Sequence, residues 1–185
     1  EALGVRAHLL QADLSRPEQA AELVPRALAW GPLFGLVNNA SVFGPETVHE
    51  TTLPLWQRSF DVHATAPFLL SRALAASLPE EGEGRIVNML DWRALRPGAD
   101  HFAYTISKAA LAALTRSLAA ALAPRVTVNG LALGAILPPA DGGETSEVLK
   151  PVPARRWATL DEVTSALLFF LTGPAYITGE ILHID

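Results

Sequence analysis

"GRIVNMLDWRALRPGADHFAYTISKAALAALTRSLAAALAPRVTVNGLAL", residues 84–133, decides the fold. It opens with "GRIVNML" (84–90), a short apolar run with the pattern of a strand buried on both faces. "AYTISKAALAALTRSLAAALA" (103–123) is rich in Ala and Leu, which lose little side-chain freedom in a helix, and predicts a long one. "RVTVNGLAL" (125–133) is a second buried-type strand. Strand, helix, strand over this length predicts a crossover unit whose two strands run parallel.

The alternation continues in both directions. Upstream, "VRAHLLQADL" (5–14) predicts a strand running into a loop, and "RPEQAAELVPRALAW" (16–30) a helix with Ser15 as N-cap. "LFGLVNNAS" (33–41) predicts an apolar strand ending in a polar turn, and "LPLWQRSFDVHATAPFLLSRALAASL" (53–78) a long helix bent near Pro67. Downstream, "LPPADGGETSEVLKPVPARR" (137–156) has the composition of a mobile loop. "LDEVTSALLFFLT" (160–172) predicts a helix and "GEILHID" (179–185) a last strand. With no internal repeat or interdomain linker, residues 1–185 read as a single α/β domain. Its expected form is a doubly wound parallel sheet with helices on both faces. Ligands of such sheets sit at the carboxyl ends of the strands. Polar residues fall there repeatedly: Asp13, Asn38–Ser41, Asp91 and Gly134.

Composition narrows the function. The chain has 185 residues, 50% of them hydrophobic, enough for a real core. Its formal charge of −5 comes without a basic run, which argues against nucleic acid as partner. There is no cysteine, so disulfides and thiolate metal sites are excluded, and the 5 histidines lack ligand spacing. No metal is expected. No apolar run is long enough to span a membrane, and the first residues resemble neither signal nor transit peptide. A cytoplasmic setting is the expectation.

Tyr104 and Lys108 stand four residues apart on the predicted helix and so share a face. A free phenol, with a pKa of about 10, is a poor acid–base group at neutral pH. A neighbouring ammonium is expected to lower it.

Four motifs in order resemble those of the short-chain dehydrogenases/reductases: "NNAS" (38–41), Tyr104-x-x-x-Lys108, "VTVNGLALGAI" (126–136) and "ITGEILHID" (177–185). The resemblance implies a Rossmann-like fold with strand order 3-2-1-4-5-6-7, in which this chain starts at the third strand. The first two strands and the glycine-rich turn would then lie in roughly 40–60 further residues upstream, the length of a βαβα stretch. It also implies roles. Lys108 would hold the nicotinamide ribose and Tyr104 would donate a proton. Asp13 and Leu14 would meet the adenine, Asn38 and Ala40 the adenosine ribose and first phosphate, and Gly134 and Ile136 the nicotinamide end. Leu133 and Pro138 depart from the family's usual proline and threonine at their positions.

Asp91 departs most. The family's usual residue there is serine, whose hydroxyl bonds the reacting carbonyl. A carboxylate about 3 Å from a developing alkoxide would cost several kcal/mol at an effective dielectric near 20. Either Asp91 is protonated, or the substrate offers it something other than a carbonyl oxygen, as a nitrogen heterocycle does. The same substitution occurs in the pteridine reductase group, and "NNASVF" (38–43) resembles that group's segment, where Ser41 contacts the pterin and Phe43 stacks on it. His63 stands where most members carry asparagine, and with "GADHFAYTISKAAL" (98–111) it resembles the bacterial dihydromonapterin reductase branch. His63 is expected either to relay protons or to be a satisfied structural histidine. The resemblance therefore implies an NADPH-dependent reductase of dihydropterins or dihydrofolate, a homotetramer, with Asp91, Tyr104, Lys108 and His63 as catalytic candidates. The 137–156 loop would close over the substrate. The alternative is a general carbonyl reductase or sugar/alcohol dehydrogenase of the same fold.

Overall fold

The computed structural model describes residues 4–138 and 146–185. Four parallel strands form one sheet in the order β1-β2-β3-β4: β1 Gly35–Asn38, β2 Gly84–Asp91, β3 Val126–Leu133 and β4 Ile181–Ile184. The helices between them are α1 Pro17–Ala27, α2 Leu53–Phe60, α3 Ala66–Ser77, α4 Phe102–Leu122, the single turn α5 Ser146–Leu149, and α6 Leu160–Thr172.

Strand alternation sorts the helices onto the two faces. Ile86, Leu90, Val128 and Ala132 point to one face and pack under α3 and α4 with Leu74, Leu111 and Leu118. Val87, Met89 and Leu131 point to the other and pack under α6 through Phe170, Val163 and Leu167. Both faces of β2 and β3 are thus covered, which is why their sequences are nearly continuous apolar runs. The expected parallel sheet with helices on both faces is what these residues form.

Three expectations need correction. Residues 5–13 form no strand, and Leu9 is 95% exposed. A strand persists only as part of a ladder, and among the described residues nothing pairs with this segment. Ser15 does not cap α1. Its hydroxyl donates to Asp13 Oδ1 (2.7 Å), and Arg16 occupies the cap position without a side-chain bond. The long helix 53–78 is two helices joined by a wider π turn at Asp61–Thr65. Pro67 explains it: lacking an N–H, it leaves the His63 carbonyl without its α-helical donor. Ala66 N–H instead reaches back five residues to the Asp61 carbonyl. The irregularity falls just before Pro67, and Val62 and His63 within it are buried.

Arg125, just before β3, ties down the far end of α3. Its Nη2 donates to the Leu78 and Pro79 carbonyls (3.2 and 2.6 Å) and its Nε to Gly82 (3.3 Å). These carbonyls belong to the C-cap Leu78 and the turn that follows α3. Arg125→Ala is expected to lower stability by about 1 kcal/mol, read as a lower urea midpoint at unchanged m-value.

Candidate active site

Because all four strands are parallel, their carboxyl ends share one edge of the sheet, and the polar residues converge there. Asp91 is the last residue of β2 and pairs with Leu133, the last of β3. Asn38 ends β1 beside Asn88. Gly134 follows β3 so closely against β4 that a Cβ there would lie 2.7 Å from Asp185 Cβ, which only glycine tolerates.

At the centre, Tyr104 Oη donates to Asp91 Oδ2 at 2.9 Å, and Arg93 N–H donates to Asp91 Oδ1 at 2.8 Å. Both carboxyl oxygens therefore act as acceptors. Burial, and then the charge and hydrogen bond of Asp91, push the Tyr104 phenol well above its ordinary pKa. The expected lowering by Lys108 is not what this arrangement produces. The carboxylate is in direct contact with the hydroxyl, whereas the ammonium lies 5.8 Å from the ring centroid. Lys108 is almost fully buried, and its Nζ donates to the Met89 carbonyl at 2.7 Å. Burial pulls its pKa down to about 8, with Asp91 working in the opposite direction.

His63, carried inward by the π turn, is wholly buried. Its Nε2 accepts from Val42 N–H (3.2 Å) and lies 2.9 Å from Ser41 Oγ; its Nδ1 lies 2.8 Å from Ser107 Oγ. Ser107 in turn donates to the Tyr104 carbonyl (2.8 Å). The His63 ring stands edge-on to Tyr104 with centroids 5.4 Å apart.

Phe43 packs its ring on His101 at 4.0 Å and meets Tyr104 edge-on at 4.7 Å. It remains 58% exposed despite both contacts. His101 holds the left-handed conformation (φ 50), a strain of roughly 1–2 kcal/mol for a non-glycine residue. Its Nδ1 donates to the Gly44 carbonyl (2.8 Å), and Phe102 N–H donates to the Glu46 carbonyl (2.8 Å). The loop bearing Ser41 and Phe43 is thereby pinned to the start of the helix bearing Tyr104.

The structure thus brings together Asp91, Tyr104, Lys108, His63, Ser41 and Phe43. Sequence reasoning missed Arg93, Ser107 and His101. Ser107 was visible inside the Tyr-x-x-x-Lys segment and His101 just before it; Arg93 acts through a backbone N–H, for which no side-chain signal exists. Trp92 is covered by the Arg93 guanidinium at 4.6 Å, a packing contact.

Leu14, Asn38 and Ala40 line one cavity of about 350 Å³ along the β1 edge, together with Leu10, Asn39 and Val62. Its walls are mostly aliphatic side chains along the free edge of β1, where the family's strand order would seat a further strand, and the polar turn Asn38–Ala40 closes one end. The Asn38 side chain is spoken for: its Nδ2 donates to Asn88 Oδ1 (2.7 Å), and Asn88 Nδ2 to Thr115 Oγ1 (2.9 Å). Asp13 is likewise folded onto its own turn: its Oδ1 accepts from Ser15 Oγ (2.7 Å) and then Ser15 N–H (3.0 Å), which together hold its carboxyl below the usual range. Ile136 is buried beside Gly134. Of the 137–156 loop, residues 139–145 lie outside the described residues. Beyond them Arg156 forms a fork with Glu162, whose carboxylate also accepts from Thr159 N–H (2.7 Å) and caps α6. That pairing, the side-chain bond first, holds the Glu162 carboxyl down at about 2. Among the described residues there is no cluster of three metal-ligating side chains, and no helix is long and apolar enough to cross a membrane.

Comparison with known proteins agrees with this geometry. The family model described as enoyl-(acyl carrier protein) reductase matches residues 1–185. The uncharacterized oxidoreductase YohF of Escherichia coli is 34% identical over 98% of this chain and 75% of its own length. A short-chain type dehydrogenase/reductase of Picea abies is 31% identical over 98% of this chain and 71% of its own. The crystal structure of FolM alternative dihydrofolate reductase 1 from Brucella canis, complexed with NADP, superposes with a TM-score of 0.90 at 37% identity, covering 100% of this chain and 73% of that one. With the parallel sheet, the Tyr104–Lys108 pair at its carboxyl edge and these matches together, the chain belongs to the short-chain dehydrogenase/reductase family.

Proposed function

We propose that this protein reduces 7,8-dihydropterins, or dihydrofolate, to the tetrahydro form with NADPH. The observation that carries the reading is the Asp91 carboxyl group, held at the centre of the site with Tyr104 Oη and Arg93 N–H both donating to it. A ketone oxygen gaining negative charge beside that group would be repelled. A ring nitrogen that must gain a proton would be served by it. The exposed aromatic ring of Phe43, beside Tyr104, suits a flat heterocycle. The similar FolM structure from Brucella canis, named as an alternative dihydrofolate reductase and complexed with NADP, supports both halves of the reading.

Reduced nicotinamide supplies the hydride, which C6 of the dihydropterin accepts while N5 takes a proton. The protein's part is the proton. Asp91 binds and polarises the heterocycle, and N5 draws its proton from solvent water beside that carboxylate. Tyr104 Oη and Arg93 N–H, both donating to Asp91, hold it in place, so little reorganisation accompanies the step. Lys108 and the backbone around Asn38–Ala40 hold the cofactor, and Phe43 covers the pterin.

The test is NADPH oxidation followed with 7,8-dihydromonapterin, dihydrobiopterin and dihydrofolate against a panel of ketones and sugars. Turnover of a reduced pterin with kcat/KM at least about tenfold above any ketone is expected. Brisk ketone reduction with no pteridine turnover overturns the proposal.

A further inference from the structure

The hydrogen bonds around His63 fix where its proton sits. Val42 is a backbone donor, so the Nε2 it bonds (3.2 Å) carries a lone pair and no hydrogen. The proton of the neutral ring is then on Nδ1 and is donated to Ser107 Oγ (2.8 Å). Ser107 can accept it because its own hydrogen goes to the Tyr104 carbonyl (2.8 Å). Ser41 Oγ, 2.9 Å from the same bare Nε2, has only one compatible role there: it donates. Its single hydrogen is used, and what it turns to the cleft is lone pairs.

Resting on the reading of the site as a pteridine site, we propose that His63 is a positioning residue that makes the exposed Ser41 hydroxyl an obligate acceptor, so that the site selects a heterocycle presenting an N–H donor at that edge. A substrate presenting a carbonyl oxygen or bare ring nitrogen there would face lone pair against lone pair. Protonation of His63 would destroy the arrangement, because Nε2–H would oppose Val42 N–H. Burial, followed by the charge of Lys108, opposes it too, holding the imidazole pKa near 3. His63 therefore does not carry a proton to the substrate; it tells Ser41 which way to point. Discrimination of this kind is worth about tenfold per hydrogen bond, and more where a buried group is left unpaired.

Two measurements test it. In 15N spectra of histidine-labelled protein at pH 6 and pH 8, His63 is expected to show a protonated Nδ1 and an unprotonated Nε2; a protonated Nε2 overturns the proposal. Binding of 7,8-dihydrobiopterin is then compared with that of analogues methylated at each N–H in turn. One analogue is expected to bind about tenfold more weakly to the natural chain, and to lose nothing further with Ser41→Ala. If Ser41→Ala weakens every analogue equally, or none, the selection claim fails. His63→Phe, which frees the Ser41 hydrogen, is expected to narrow that tenfold gap; should it not fold, the spectrum and Ser41→Ala still decide. If the natural chain binds no reduced pteridine, the proposed function falls, and the ligand claim with it, whereas the spectrum still judges the polarity of Ser41.

Discussion

Asp91→Ser is expected to slow reduction of a 7,8-dihydropterin by about a hundredfold or more in kcat, with NADPH affinity within about threefold of the natural chain. The size follows from what the side chain does. A positioned acid or base in a proton-transfer step contributes on the order of 10²–10⁴ in rate. Serine offers no negative charge to polarise the heterocycle, and it removes the acceptor that Tyr104 Oη and Arg93 N–H now address. The affinity for NADPH stays because Lys108 keeps its own partner, the Met89 carbonyl. A second consequence runs the other way. Losing the carboxylate removes two of the causes that hold the Tyr104 phenol high, so the variant's tyrosine becomes a better acid and slow ketone reduction is expected to appear. Steady-state kinetics on both substrate classes and a nicotinamide fluorescence titration read the three outcomes. Equal loss of pterin turnover and NADPH binding would make Asp91 a structural residue.

Lys108→Met is the second large effect, and it divides function from stability. Function falls: kcat/KM for NADPH is expected to drop by about a hundredfold, since the proposed reading assigns the cofactor's ribose to this buried ammonium. Stability rises. The folded chain holds Lys108 at about 8, and an unfolded lysine titrates near 10.4. Below about pH 8 both states carry the proton and the folded state bears the full burial penalty. As pH climbs toward 10.4 the folded lysine is neutral while the unfolded one is still charged, so the penalty is progressively relieved. Methionine avoids it at every pH, at the loss of one hydrogen bond to Met89, for a net gain of about 1–3 kcal/mol at pH 7, read by urea denaturation. The natural enzyme is expected to lose kcat/KM for NADPH as pH rises through about 8, where Lys108 gives up its charge. Because Asp91 raises the Lys108 pKa, the Asp91→Ser profile should break at lower pH. A break that does not move would assign that limb to another group.

The β2–α4–β3 unit was legible because each of its parts obeys its own local rule. Strands covered on both faces are continuous apolar runs, and α4 is built from strong helix formers. Residues 5–14 obey the same composition rule and still form no strand, because a ladder is a property of two segments and composition describes one. Pro67 announced a bend, but not that the bend would be taken up by one wide turn five residues long. In the site, Tyr104, Lys108 and Asp91 were visible as residue types at fixed spacings. What could not be seen was which partner wins the phenol: Lys108 shares its helix face, but Asp91, thirteen residues earlier, arrives at 2.9 Å through the strand. The His63–Ser107 contact spans forty-four residues and depends on the ring pointing inward, so no local pattern encodes it.

The widened turn at Asp61–Thr65 acts as a phase shift between two helical halves. One surplus residue rotates everything beyond it by about 100° relative to an unbroken helix. Deleting a single residue there would remove the surplus but not Pro67, whose missing N–H would still interrupt the ladder, and would swing the imidazole about 100° away from Ser107 and Val42. The irregularity that looks like a flaw in the scaffold is what turns the imidazole inward.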